Sequence, residues 1–205
     1  MRLLSALGAL VLAAVPAAAG DSQTYQELMR LSVTRDAASP AAEAAPDPVH
    51  ASVVSAQQLL NMRRRTLEEL YRDLKPGPIP DGKSDGIASR EPGTPFGRVS
   101  QAVLGAFWEG KVFDRAGGTL INRLRTGESV TAKVFYGPSW LDGKPAIIID
   151  YKETSSVAGF IRDEIREAAP GIYFGFAYER QPDGSAHANI VFALDFNAPK
   201  AKPAS

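Results

Sequence analysis

The sequence predicts an α+β fold: a strongly curled antiparallel sheet or small barrel, with covering helices and an N-terminal helical extension. Three observations carry this. Segments in the second half alternate between two faces with the period of two of a strand that is buried on one side. Tight-turn signals separate them, Asp142-Gly143 and Pro182-Asp183-Gly184. Nine of the fifteen prolines fall before residue 96, so the β-rich core domain is expected over 96–197, where the four prolines between 99 and 197 sit at turn positions.

Taken in order, Arg2, the apolar run Leu3 to Val15 and Ala17-Ala18-Ala19 before Gly20 read as a signal peptide over 1–19. The expected location is therefore periplasmic or secreted, with no transmembrane segment after cleavage. Residues 20–50 hold a short helix at 22–32 and an Ala/Pro-rich stretch at 34–50 with little to bury, the composition of a flexible tether. Residues 51–75 predict an amphipathic helix, with Val53, Ala56, Leu60, Leu67, Leu70 and Leu74 at helical spacing and Pro76 as its stop. Arg63, Arg64 and Arg65 read as a solvated face, offset by Glu68 and Glu69 one turn on.

The five prolines and four glycines of 75–95 predict an irregular loop at 76–95. A helix follows from Phe96, with Val99, Val103 and Leu104 expected inward. Strands are expected at 108–114, 119–125, 130–136, 145–151, 172–179 and 187–196. Between the fourth and fifth, Val157, Phe160, Ile161, Ile165 and Ala168 fit a helical stripe, so the charged run Arg162-Asp163-Glu164 with Arg166-Glu167 reads as the wet side of an amphipathic helix ended by Pro170-Gly171. Residues 198–205 are expected to be a disordered tail.

Composition narrows the function classes. Lys plus Arg and Asp plus Glu number 23 each, so there is no net field to hold nucleic acid by counterion release. The chain has no cysteine, which removes thiol nucleophiles, disulfides and thiolate metal sites. Of two histidines, His50 lies in the tether and His187 on a strand. His187 is eight residues from Asp195, about 26 Å along an extended strand, so the two cannot couple there. No nucleophile elbow, glycine-rich nucleotide loop or zinc helix is present; no metal and no cofactor are expected. A carboxylate mechanism stays open if two of Asp150, Asp163 and Glu164 share one pocket.

The stretches PGPIPDGKSDGIA (76–88), WEGKVFD (108–114), SWLDGKPAIIIDYKETS (139–155) and IRDEIREAAPGIYFG (161–175) together resemble a group of uncharacterised bacterial exported proteins with a lipocalin-like β-barrel domain. The resemblance covers roughly 74–196 and implies a barrel able to hold an apolar ligand. Two features depart from a lipocalin proper. Gly105-Ala106-Phe107-Trp108 has one residue more than Gly-x-Trp, and six expected strands fall short of eight.

The first functional expectation is thus an exported binding protein for a lipid-like or otherwise apolar small molecule. Its candidate apolar contacts are Trp108, Tyr136, Trp140 and Tyr151, and its polar ones Asn122, Lys133, Asp150 and Arg162. Lys111 is a further candidate, as a ligand contact or as a chain that reaches water. The alternatives are a cell-envelope interaction module, which would leave the stripe of 51–74 exposed to an envelope protein partner, and a carboxylate-dependent enzyme.

Overall fold

Alternation of side chains across the strands decides the architecture, because two faces of opposite character must each be covered. The computed structural model describes residues 55–125, 129–156 and 158–197; the expected signal peptide, first helix, tether and tail lie outside the described residues. The elements in chain order are α1 (Ala56–Leu60), α2 (Arg64–Asp73), β1 (Gly82–Lys83), β2 (Asp85–Ser89), α3 (Pro95–Gly105), β3 (Trp108–Asp114), β4 (Thr119–Leu124), β5 (Ser129–Pro138), β6 (Pro145–Asp150), β7 (Ile161–Ala169), β8 (Ile172–Arg180) and β9 (Ala186–Asp195).

All nine strands form one antiparallel sheet in the order β1-β3-β4-β5-β6-β7-β8-β9-β2. The two end strands are separated in the chain by Ser84 alone, so the sheet curls into a nearly closed barrel. β1 pairs with β3 through Gly82 and Lys83, and β2 pairs with β9 from Asp85 to Ser89. Ser84 is the hinge of this change of partner. Its amide and its hydroxyl both donate to Lys111 O, at 2.9 and 3.0 Å, and its hydroxyl accepts from Lys111 N at 3.2 Å. Gly110 makes the approach possible: it has φ +136°, and a Cβ there would stand 2.4 Å from Ser84 O.

The region read as an irregular loop at 76–95 therefore supplies the closing strands. Short strands among prolines and glycines lack the alternating pattern that marks the others, and only their partners reveal them. The chain read as a helix at 156–169 is likewise corrected. It has turn residues at 152–154, 156 and 158–160 and then strand β7, paired with β6 from Ile147 to Asp150 and with β8 from Ile172 to Glu179. Both periods fit Ile161 and Ile165, but only the strand gives every backbone amide between two neighbouring strands a partner. Ile161, Asp163 and Ile165 point into the barrel, while Arg162, Glu164 and Arg166 point out.

The barrel interior is filled at one end by Phe113, Leu120, Val134, Ile147, Tyr173 and Leu194. A second core lies outside the barrel, where Ile172, Phe174, Phe176, Tyr178, Val191 and Ala193 of β8 and β9 are covered by Leu59, Leu60, Leu67 and Tyr71. Tyr71 meets Phe174 and Phe176 edge-on at 5.7 and 5.1 Å, contacts worth about 0.5–1.5 kcal/mol each beyond burial. The helix expected over 51–75 is thus two. Ser55 caps α1 by accepting from Gln58 N, the chain turns at Asn61–Arg63, and α2 ends at Asp73 with Leu74 as its extended C-cap, before the residue that Pro76 restricts. Leu67 is buried on the barrel, and Leu70 and Leu74 pack against it half-buried. The basic cluster pairs as spacing suggested, Arg65 with Glu69 at 3.1 Å.

Thr94 caps α3 from Gly97 N, with Pro95 in its first turn. Here the inward face differs from expectation: Gly97, Ser100 and Leu104 are buried, while Val99 and Val103 are exposed. The helix approaches the chain so closely that a Cβ on Gly97 would stand 1.9 Å from Glu91 O, and Ser100 Oγ lies 3.2 Å from Ser89 Oγ on β2. Only small residues fit that contact.

Arg166, wholly buried, fastens α2 and the β5–β6 turn to the barrel. It forms a two-point ion pair with Asp142, at 2.8 Å for each contact, and donates to Tyr71 O at 2.6 Å and Pro145 O at 3.0 Å. Replacing Arg166 by Ala strands these acceptors and is expected to cost about 3–5 kcal/mol in chemical denaturation, whereas Arg65→Ala, at an exposed pair, should change stability by less than about 1 kcal/mol. At the seam, Gly110→Ala is expected to lose about 1–3 kcal/mol from its positive φ and more from the clash with Ser84. Gly143→Ala, with φ +73° and open space around it, should lose only the conformational part; equal losses in denaturation would place no tight contact at the seam.

Candidate functional site

One end of the barrel is not filled. A cavity of about 80 Å³ lies there, lined by apolar groups including Ala88, Leu104, Phe107, Leu124, Ala158 and Phe192, and by Trp108, Lys111, Asn122, Tyr151 and Asp163. Its walls come from α3, from the turns before β7, and from the stretch where β2 and β3 run on past Ser84 with no further paired residues. A water needs about 10–15 Å³ of such space and a drug-sized ligand about 300–1,000 Å³. The cavity suits a small molecule or the end of a longer one.

Five strand and loop positions bring a polar cluster to this cavity. The Gly110 irregularity in β3 turns Lys111 inward, the β3–β4 register sets Asn122 opposite it, Tyr151 directly follows β6, and β7 contributes Asp163. Lys111 Nζ donates to Tyr151 Oη at 2.7 Å, Asn122 Oδ1 at 2.8 Å and Asp163 Oδ2 at 2.9 Å. Tyr151 Oη donates to Asp163 Oδ2 at 3.1 Å and accepts from Asn122 Nδ2 at 2.7 Å. Trp108 Nε1 donates to Asn122 Oδ1 at 3.2 Å.

The Lys111 ammonium also lies 5.4–5.7 Å from the ring centres of Trp108, Tyr151 and Phe192, within the range of cation–π attraction. Lys111, Asn122, Tyr151 and Asp163 are all buried. Burial, and then the Asp163 carboxylate, push the Tyr151 phenol well above its ordinary pKa. It therefore stays protonated and keeps its donor on Asp163. The cluster can hold the polar end of a guest within an apolar chamber.

No protein-family model and no curated protein matches the chain. Among solved structures it is similar to a crystal structure of a protein from Thermomonospora curvata, at 23% identity, covering 68% of this chain and 97% of that one, with a TM-score of 0.43.

Of the residues singled out in the sequence, Trp108, Lys111, Asn122 and Tyr151 come together at the cavity. The others do not. Lys133 is exposed and pairs with Glu153. Tyr136 sits at the opposite rim, donating to Gly77 O and accepting from Ile79 N, both at 3.0 Å. Asp150 faces outward to Arg180 at 2.7 Å. Trp140 lies on the outer surface, over Arg162 at 4.2 Å and edge-on to Tyr178 at 5.5 Å. The cavity residue that sequence reasoning placed on a wet helix is Asp163, and its signal was present: Ile161-x-Asp163-x-Ile165 is one strand face with a single charge.

The carboxylates do not converge. Asp163 is inside, Asp150 outside, and Glu164 is buried on the outer face, accepting from Ser139 Oγ at 2.5 Å and from Trp140 N at 2.8 Å, with Arg162 at 3.2 Å. The condition for a shared carboxylate pocket is not met. Among the described residues no group of three His, Cys, Asp or Glu side chains is placed to hold a metal ion.

Burial raises the Glu164 pKa above its ordinary value, against the opposing pull of Ser139, Trp140 N and the two arginines. Between the unfolded and the raised folded pKa the native state holds the proton and the unfolded chain does not, so stability falls as pH rises through that window. Denaturation of wild type and Glu164→Gln from pH 4 upward should show this fall in wild type and its absence in the variant. Parallel curves would show that Glu164 titrates in the folded protein as it does in the unfolded chain.

Proposed function

We propose that this protein is an exported carrier or sensor of a small, largely apolar molecule, held in the barrel cavity with its polar end at Lys111, Asn122, Tyr151 and Asp163. The observation that carries the reading is a buried Lys111–Asp163 ion pair facing a cavity with apolar walls. A buried ion pair is poor at stabilising a fold, since well-packed apolar residues of similar volume serve as well or better. A chamber that side chains leave open between apolar walls also forgoes packing among them. Both features are what a binding site requires and a core does not: concave apolar walls with a few convergent polar groups. The leader pattern of residues 1–19 supports export, and the leucine stripe of α1 and α2, being taken up by the barrel, leaves the cavity as the feature that calls for a partner.

Native mass spectrometry of the protein from a host that exports it should show a mature chain beginning near Gly20 or Asp21 and carrying a small organic adduct. Ala177→Leu, which places a larger side chain in the cavity wall, is expected to fold and to retain at least tenfold less of that adduct. A bare chain, together with a Trp108 emission that no small apolar compound shifts, would end the binding reading; an unprocessed leader would end the export reading alone.

A further inference from the structure

Resting on that pocket reading, the valences of the cluster narrow the class of guest. The three protons of the Lys111 ammonium are all engaged, on Asn122, Tyr151 and Asp163. Asn122 Oδ1 accepts from both Lys111 and Trp108, which uses its two lone pairs. Tyr151 Oη donates once and accepts twice, which completes it. Asp163 Oδ2 takes two donors.

What remains is small. Asp163 Oδ1 has no hydrogen bond among the described residues. Nor is it among the enclosed unpartnered atoms of the described residues, which are Tyr71 Oη, Arg162 Nε and Tyr178 Oη; it is an accessible oxygen on a residue that lines the cavity. One of the two amide hydrogens of Asn122 is also unassigned, the other going to Tyr151. The free valences are thus an acceptor on Asp163 and a donor on Asn122.

Charge narrows the class further. Lys111 and Asp163 cancel at 2.9 Å, with side chains 4% and 6% exposed. A third charge brought into that environment would be desolvated without a counter-ion. We infer that the guest is an electrically neutral small molecule with an apolar body and a hydroxyl group, which donates to Asp163 Oδ1 and accepts from Asn122. A hydroxyl supplies both functions from one atom. A carboxylate brings only acceptors and repels Asp163; an ammonium brings only donors and repels Lys111.

The test uses the full chain carrying Trp140→Phe, so that emission reports Trp108, whose indole is bonded to Asn122. It is titrated at neutral pH with four probes of similar length: 1-hexanol, 1-methoxypentane, hexanoate and hexylammonium. Hexanol should bind at least tenfold more tightly than each of the others. Asp163→Asn leaves Lys111 unpaired and should shift preference toward hexanoate by at least tenfold relative to hexanol. If that variant does not fold, the four-probe comparison decides alone. Hexanol and methoxypentane within twofold of one another, or either ion binding more tightly than hexanol, overturns the neutral hydroxyl and leaves the pocket standing. No response to any of the four overturns the inference and the pocket together.

Discussion

The contact between Ser84 and Lys111 is the constraint on which the rest depends. Where β1 passes into β2 the chain must release one neighbour and take another, and a backbone doing this inside a protein has amides and carbonyls to satisfy. Ser84 meets the demand with three hydrogen bonds to Lys111. The space for them exists because neither Gly110 nor Gly86 carries a Cβ; one on Gly86 would stand 2.4 Å from the Trp108 ring. Closure therefore fixes the backbone of the residue whose ammonium organises the cavity. The same seam that removes most of the sheet's free edge also sets Trp108 and Lys111 at its open end.

Burial on both sides of the sheet explains the unusual placement of charge. Along β7 the inner residues face the barrel core and the outer ones lie beneath α2, the β5–β6 turn and Trp140. Neither side is water, so Asp163 on one face and Glu164 and Arg166 on the other each require partners. They find them in separate sets: Asp163 in Lys111 and Tyr151, Glu164 in Ser139 and the Trp140 amide, Arg166 in Asp142 and the carbonyls of Tyr71 and Pro145. The outer set holds the helices and the turn. The inner set holds nothing together that apolar packing would not hold, and this asymmetry is what points to the cavity.

The small volume of the chamber, about 80 Å³, sets the scale of what the cluster can recognise. Aromatic and aliphatic side chains of β3 to β9 fill most of the barrel, and Leu104 from α3 with Phe107 just after it lines the other end. The packing at that end is set by small residues: Gly97 and Ser100 let α3 approach β2, and Ala88, Ala158 and Ala177 leave the void that larger side chains would occupy.

The strands 108–114, 119–125, 130–136, 145–151, 172–179 and 187–196 were legible in the sequence and all fall on observed strands, because apolar strand runs, alternation and turn residues are local properties. Trp108, Lys111, Asn122 and Tyr151 were legible as candidates for the same reason, as polar or aromatic groups set among apolar strand residues. The sequence by itself thus determined the β-rich core, its two hairpin turns and most of the cavity's polar groups. Only tertiary structure decided the closing strands at 82–89, the strand at 161–169 and the inward turn of Asp163. In each case the local pattern was short or satisfied two periods at once, and hydrogen bonding to strands distant in the chain chose between them.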